Sequence, residues 1–533
     1  MLKFLYRKIK TNEFKKLNNI NEAVDKAEYE PKINKSLSDN INVLKKIFES
    51  ASDVVFREFV LGGKGGINCV IVFLQGLTER RMINEVIIGP LINEDISSKL
   101  AELRKGNMDI IQKNIIPADN INKIQTILQI VDECLSGNTI FLMEGSEEAL
   151  SINTKGCEKR AIEEPKSEAV VRGPRVGFSE NINTNMSLLR QKIRNPNLKF
   201  ETVCIGKQTM TRVCIVYIKN IVNPKLVTEM KKRLNRINTG SVLESGYIEE
   251  FIEDAPMSIF PTVGNTERPD STAAKILEGR IGILVDGSPF ALTVPMLFIE
   301  GFQSVEDYYS RPFYASLIRS LRFVCFILSI FTPATYVMLA TFHQELIPTT
   351  LLLTMAAGRE GVPFPAVLEA GLMVVTFEIL REAGVRLPRP VGQAVSIVGA
   401  LVIGEAAVSA GLVGGLLVIV VALTAVSSFV VPTYTDVVAI LRAVFLILAG
   451  AMGIFGIGMG IMVVAIHMVS LRSFGAPYVS PIAPLDVQGL KDSFIRSHLW
   501  KMKNRPKDIT HENITREGDG LKPRTPKRNN IES

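Results

Sequence analysis

The sequence predicts a two-part chain: an α/β soluble N-terminal region of two similar subdomains, followed by an all-α multipass membrane domain. Three observations carry this. Composition changes abruptly at Leu321: from Phe323 to Gln344 there is no Asp, Glu, Lys or Arg, and the chain stays largely apolar to about Leu471. A strand–turn–strand pattern occurs twice, with Phe56–Leu61, Gly62 and Cys69–Leu74 matched by Phe200–Ile205, Gly206 and Val213–Ile218. Each copy then closes on a similar strand and turn, Asn138–Gly145 and Arg280–Gly287. A duplicated α/β unit over about 53–150 and 197–300 follows from the shared order and spacing.

In chain order, residues 1–50 read as a basic lead-in, helical near Ile41–Ser50. Met1–Lys16 lacks an apolar core, so no signal peptide is expected. The first subdomain occupies 51–160, with a helix near Glu79–Leu91 after its hairpin. A bridging segment covers 161–196, where Pro165, Gly173 and Pro174 preclude a regular helix and the charges alternate. Within it, Glu164, Glu168, Arg172 and Arg175 are candidates for an interdomain bridge of ion pairs and hydrogen bonds. The second subdomain spans 197–310, with a helix near Lys225–Asn235. At its end Asp307, Tyr308, Tyr309 and Arg311 stand just before the first apolar stretch. They suit an interfacial anchor and equally a coupling junction.

The membrane domain is expected over 311–475 and a cytoplasmic, partly disordered tail over 476–533. A hydrocarbon core of ~30 Å needs ~20 apolar helical residues. Phe323–Gln344, Pro390–Gly411, Leu412–Val431 and Ala443–Leu471 meet that length, and the glycines from Gly450 to Gly460 allow close helix contact or a bend. The stretch 366–384 differs, because Glu369, Glu378, Arg381 and Glu382 interrupt its apolar residues. Charges at membrane depth cost ~2.5–3.5 kcal/mol each, so they face a polar interior or water, or else the helix lies on the surface. An even number of crossings is needed if both ends lie inside, which makes 366–384 the expected re-entrant or interfacial piece. Glu405, alone among small apolar neighbours, suits an interhelical hydrogen bond or a wet path.

A net charge of +7 spread over 533 residues, with no basic stripe interleaved with aromatics, gives no case for a nucleic-acid partner. The six cysteines form no CxxC and several sit in apolar runs, as buried free thiols in a reducing compartment do. His343, His467, His498 and His511 are scattered, so no metal site is expected, and no catalytic set or cofactor motif is evident. Gly62-Gly-Lys-Gly-Gly66 lies between strands and lacks phosphate-loop spacing.

An ordered set of motifs resembles one family. It includes Glu164-Pro-Lys-Ser-Glu168, Arg172-Gly-Pro-Arg-Val-Gly-Phe178, Ala255-Pro-Met-Ser-Ile-Phe-Pro261 and Thr266-Glu-Arg-Pro-Asp270. It continues through Val285-Asp-Gly-Ser-Pro289, Asp307-Tyr-Tyr309, Arg359-Glu-Gly-Val-Pro-Phe-Pro365, Leu380-Arg-Glu-Ala-Gly384 and Ile403-Gly-Glu-Ala-Ala-Val408. These are similar to the A subunits of bacterial spore germinant receptors, the GerA family. One departure is Gly414-Gly415, where family members commonly have Ser-Pro. The resemblance implies a multipass protein of the spore inner membrane with its N-terminal domain on the core side. It implies a transporter-like B subunit and a lipoprotein C subunit as partners, a homo-oligomer of A subunits in membrane lipid, and a nutrient-gated ion channel. Competing readings are a scaffold subunit or sporulation-type paralogue without its own pore, and a secondary transporter.

Overall fold

The computed structural model describes residues 31–61, 66–92, 103, 106–118, 120–156, 164–165, 167–387, 402–510, 515–516, 518 and 521–523. The first unit comprises α1 (Leu37–Ile47), β1 (Val54–Leu61), β2 (Ile67–Leu74), α2 (Met82–Ile92), α3 (Asp109–Asn114), β3 (Ile121–Ile124), α4 (Ile127–Leu135), β4 (Thr139–Met143) and β5 (Ala149–Ile152). The second comprises α5 (Ile182–Lys192), β6 (Leu198–Ile205), β7 (Thr211–Ile218), α6 (Pro224–Arg236), α7 (Ser245–Ile252), β8 (Gly264–Thr266), α8 (Pro269–Leu277), β9 (Ile281–Val285) and β10 (Ala291–Val294). Side-chain caps start several of these helices: Ser36 accepts from the Asp39 N–H, Thr126 from that of Gln129 and Asn223 from that of Lys225.

Both sheets are antiparallel and share one strand order, β1-β2-β4-β5-β3 in the first and β6-β7-β9-β10-β8 in the second. The helices correspond as well. α4 and α8 lead into the third-position strands β4 and β9, while α1 and α5 precede the hairpins. Each copy therefore starts one helix earlier than the hairpin pattern indicates, and α5 lies inside the stretch expected to be a bridge. Each sheet is buried on both faces. Val70, Val72 and Leu74 of β2 pack toward α1 and α4, whereas Cys69, Ile71 and Phe73 pack toward α2. Cys69, Cys134, Cys214 and Cys325 are buried free thiols, and burial pushes those of Cys134 and Cys214 up to about 12.

The second half is helical: α9 (Pro312–Thr341), α10 (Thr349–Ala357), α11 (Ala366–Arg386), α12 (Gly415–Phe429) and α13 (Thr435–Ser470). α9 and Pro432–Ser470 are long and apolar enough to cross a membrane. The expected stretch Pro390–Gly411 lies largely outside the described residues. Of its C-terminal part, 402–409 is helical.

α13 is not one rod. Gly453 has φ 57° and ψ −134°, a conformation open to glycine, and the chain folds back there. A Cβ on Gly456 would lie 2.2 Å from the Leu448 carbonyl oxygen, and one on Gly460 would lie 2.6 Å from the Phe445 ring. The small-residue series thus lets the two limbs approach closely. Both limbs end near the second sheet: the Tyr434 hydroxyl donates to the Phe298 carbonyl at 2.5 Å, and His467 Nε2 lies 2.9 Å from Ser258 Oγ. At the opposite end the Ile454 N–H donates to His343, just past α9, at 3.4 Å.

α11 covers the stretch expected to be re-entrant or interfacial. Its first turn, Ala366 to Ala370, packs with Tyr336, Val337 and Ala340 at the far end of α9. Glu378, two to three turns on, reaches Arg442 near the sheet-proximal end of α13. α11 therefore runs back toward the sheets over 21 residues, a length of ~31 Å.

Candidate functional site

The two sheet units are held together by a pair that is not among the candidate bridge residues. Asp53 immediately precedes β1 and Arg190 lies on α5. The Arg190 Nε and Nη2 donate to the two Asp53 carboxylate oxygens, each at 2.9 Å, with both side chains buried. Arg190 also stacks on Phe200 at 4.8 Å. Backbone bonds extend the seam, from Ser52 N–H to the Phe200 carbonyl at 3.0 Å and from Phe200 N–H to that of Ser50 at 3.1 Å. Lys199 donates to the Ile47 carbonyl at 2.9 Å, and burial, then the charge of Lys219, lowers its pKa to about 8.

The residues proposed for bridging lie along the second unit instead. Glu168 accepts from Thr266 Oγ1 at 2.5 Å, and its carbonyl accepts from Arg268 at 3.2 Å. Burial raises the Glu168 carboxyl. Glu164 and Arg175 form an exposed pair at 3.8 Å, and Arg172 is exposed. Gly173, at φ 144°, lets the segment lie flat on Tyr309, where a Cβ would stand 2.8 Å from the ring.

Tyr309 opens the junction between sheet and helix. Its hydroxyl donates to Asp270 at 2.7 Å, and Asp270 is also clasped by Arg268. Asp307, buried at the start of a short helical turn, accepts from Arg319 Nε at 2.8 Å and from Arg322 Nη1 at 2.8 Å. It also caps the Ser304 N–H at 3.1 Å. Both arginines lie on the first three turns of α9. Arg319 donates further to the Asp492 carboxylate at 2.9 Å and to the Asp492 carbonyl at 2.7 Å. The Tyr308 hydroxyl donates to the same carboxylate at 2.7 Å; burial, then the Asp492 charge, pushes the phenol well above its ordinary value. Arg496 completes the knot by donating to the carbonyls of Tyr308 and Ser310, each at 3.2 Å. Arg311 is exposed and takes no side-chain partner among the described residues. Against this knot rests an aromatic core of Phe298, Phe302, Phe326 and Tyr434, with Phe298 and Phe302 at 5.2 Å and Phe302 and Phe326 at 5.3 Å.

A second cluster lies deeper in the helices. Glu378 accepts from Arg442 at 2.9 Å and pairs with Arg381 at 2.9 Å. Arg442 is 1% exposed and also donates to the Ser329 carbonyl of α9 at 2.9 Å. Two guanidiniums thus share one carboxylate. Glu369, wholly buried at the far end, accepts from the Gly414 N–H at 2.5 Å and faces Arg359 at 3.4 Å. This contact uses the position where Gly414-Gly415 departs from the family pattern: a Cβ on Gly414 would lie 3.3 Å from both Glu369 Oε1 and the Arg359 chain. Glu382 pairs with Arg386 on an exposed face, and Glu405 is exposed.

Sequence patterns place Glu378 beside Arg381 but do not find Arg442, Asp492, Arg496, Asp53 or Arg190. Arg442 carried one signal, a lone cation inside an apolar run. The others lie on ordinary polar stretches and meet partners 137 or more residues away. Among the described residues no group of three or more His, Cys, Asp or Glu is arranged to hold a metal ion.

A family profile described as "Bacillus/Clostridium GerA spore germination protein" matches residues 42–508. Spore germination protein KA of Bacillus subtilis (strain 168) is 45% identical over 92% of this chain and 90% of its own length. "Uncharacterized membrane protein YfkQ" of the same organism is 40% identical over 89% of this chain and 91% of its own. The crystal structure of the N-terminal domain of the A subunit of the Bacillus megaterium spore germinant receptor GerK3 shares 32% identity. It covers 51% of this chain and 99% of that chain, with a TM-score of 0.40.

Proposed function

The chain belongs to the Bacillus/Clostridium GerA spore germination protein family, and from that premise we propose that it is the A subunit of a nutrient germinant receptor, crossing the spore inner membrane and gating an ion path at germination. Its partners are a transporter-like B subunit, a lipoprotein C subunit and further copies of itself gathered round an axis. The likeness to YfkQ, a membrane protein by its name, supports the membrane placement.

In this reading there are six crossings: α9, α11, the stretch 390–411, α12 and the two limbs of α13. Each limb, 435–452 and 454–470, spans ~25–27 Å, close to the ~30 Å hydrocarbon core. Six is even, so the sheets and the tail share one side. Arg386 at the end of α11 then also falls on that side, in keeping with the positive-inside rule.

One observation carries the gating idea: a single helix joins both charged clusters. Arg319 and Arg322 hold α9 to Asp307, and ten residues later, ~15 Å along, the Ser329 carbonyl holds Arg442 against Glu378. Nutrient docking on the B subunit shifts the junction, α9 turns, Arg442 and Arg381 both release Glu378, and the freed carboxylate lines a path that favours cations. Liposomes holding this chain together with the B and C subunits test this by potassium efflux on adding nutrient. Nutrient-triggered efflux with the wild type that falls at least tenfold in Glu378→Gln, with the folded protein retained, is expected; no efflux in either leaves the channel reading without support.

A scaffold role is the second reading, and the pairing of the α11 carboxylates favours it. Glu369, Glu378 and Glu382 each face a guanidinium within the same chain. Liposomes that remain tight in the presence of all subunits would select it.

A further inference from the structure

The C-terminal segment returns from the helices and forms a cleft of about 490 Å³ against the second sheet unit. That size suits a small polar ligand. Six basic side chains line it: Lys491, Lys501, Lys503, Arg505, Arg516 and Lys522. Its three carboxylates are already engaged. Asp492 holds Arg319 at 2.9 Å, Glu278 faces Arg280 at 3.5 Å and Arg516 at 3.8 Å, and Asp486 faces Lys507 at 4.0 Å. Lys491, Lys501 and Lys522 have no carboxylate within ion-pair distance among the described residues. Burial, with Arg516 nearby, lowers the Arg505 pKa, as expected where cations crowd together.

Aromatic rings connect this cleft to the start of α9. The Trp500 ring carries Lys501 Nζ at 5.1 Å and Lys522 Nζ at 5.8 Å from its centre. The His498 ring is 5.2 Å from Trp500, and Phe313, in the first turn of α9, is 5.9 Å from His498. Phe313 is 82% exposed, and Leu317 and Leu321 continue its exposed face at helical spacing. Ile495 and Leu499 add exposed apolar area from the tail. A tryptophan, lysines and an apolar stripe meeting where a long apolar helix begins is the composition of a membrane interface.

We propose that this cleft binds the headgroup of an anionic phospholipid, its phosphate held by Lys491, Lys501 and Lys522 and its acyl chains laid along Phe313, Leu317 and Leu321. The stripe leading out of the cleft favours a lipid over a free anion, which would need no such surface. The site rests on the membrane reading above and extends it to a specific ligand class.

Trp500 is the only tryptophan in the chain, so its emission reports on the cleft directly. The full-length protein is placed in phosphatidylcholine nanodiscs and phosphatidylglycerol is titrated in. Emission is expected to move to shorter wavelength and saturate. Lys491→Gln alone, and Lys501→Gln with Lys522→Gln, each raise the midpoint, by about fivefold per lysine removed. An emission indifferent to phosphatidylglycerol, or midpoints unchanged in both variants, overturns the site. So does a full response to millimolar inorganic phosphate in phosphatidylcholine discs, which would reassign the cleft to a soluble anion. Failure of the wild type to enter nanodiscs at all refutes the membrane reading, and this site with it.

Discussion

The two sheet units share one strand order and differ in what they touch. The second carries the junction: Asp270 binds Tyr309, the Phe298 carbonyl binds Tyr434, and the Glu278 carbonyl accepts from Thr510 of the tail at 3.1 Å. The first reaches the rest of the molecule through the seam around Asp53 and Arg190. A duplicated scaffold has thus been divided into a copy that works on the helices and a copy that works on the other copy. The difference lies in loops and termini, because the strands of both units are filled with equivalent apolar side chains.

The sharpest way to break this comparison is to remove the acceptor at each attachment. Asp307→Ala leaves Arg319 and Arg322 without their shared carboxylate in a buried setting, a loss of ~3–5 kcal/mol. Thermal unfolding in detergent is expected to drop, and spores carrying the variant to lose the germination response. Asp53→Ala strands Arg190 at a comparable local cost, ~3–5 kcal/mol, but its effect is confined to the seam. Hydrogen exchange should show the first unit losing protection while α9 and α13 keep theirs. Equal loss in both regions would show that the two units act as one.

A smaller effect separates the units by pH. Glu249 on α7 has its pKa raised to about 7 by burial, then by Glu253 and Glu244. The folded state therefore holds a proton there that the unfolded state gives up near 4.5. The second unit is expected to lose stability as pH rises from ~4.5 to ~7, by up to ~3 kcal/mol, and to level off above. Hydrogen exchange at α7 across that range checks it, and Glu249→Gln should flatten the curve. The smallest effect is expected at Arg175→Ala. Its pair with Glu164 is exposed, so under ~0.5 kcal/mol should be lost in thermal unfolding.

Hairpins and closing strands were legible because a buried sheet demands apolar, β-branched runs bounded by turn residues, as in Ile67–Leu74 and Thr211–Ile218. The helices α1 and α5 were harder to assign to the repeat, since short amphipathic helices share composition with linkers. The reversal at Gly453 was half visible: the glycines marked a weak point, but only the close approach of Gly456 to Leu448 makes it a hairpin. Charge partners were least legible. That Arg319 also meets the Asp492 carboxylate is decided by where the chain returns 173 residues later, and no local pattern carries that information.

That return sets an order of events during synthesis. Elongation at ~5–20 residues per second puts Asp492 outside the ribosome roughly 10–35 s after Arg319. For that interval the charged joint at the start of the first long helix has Asp307 but neither Asp492 nor Arg496, and the carboxyl-terminal segment arrives last to fasten a joint whose other parts are already in place. A nascent chain that stalls or is clipped before Asp492 should therefore carry every sheet and every apolar helix, yet lack the fastening at its hinge.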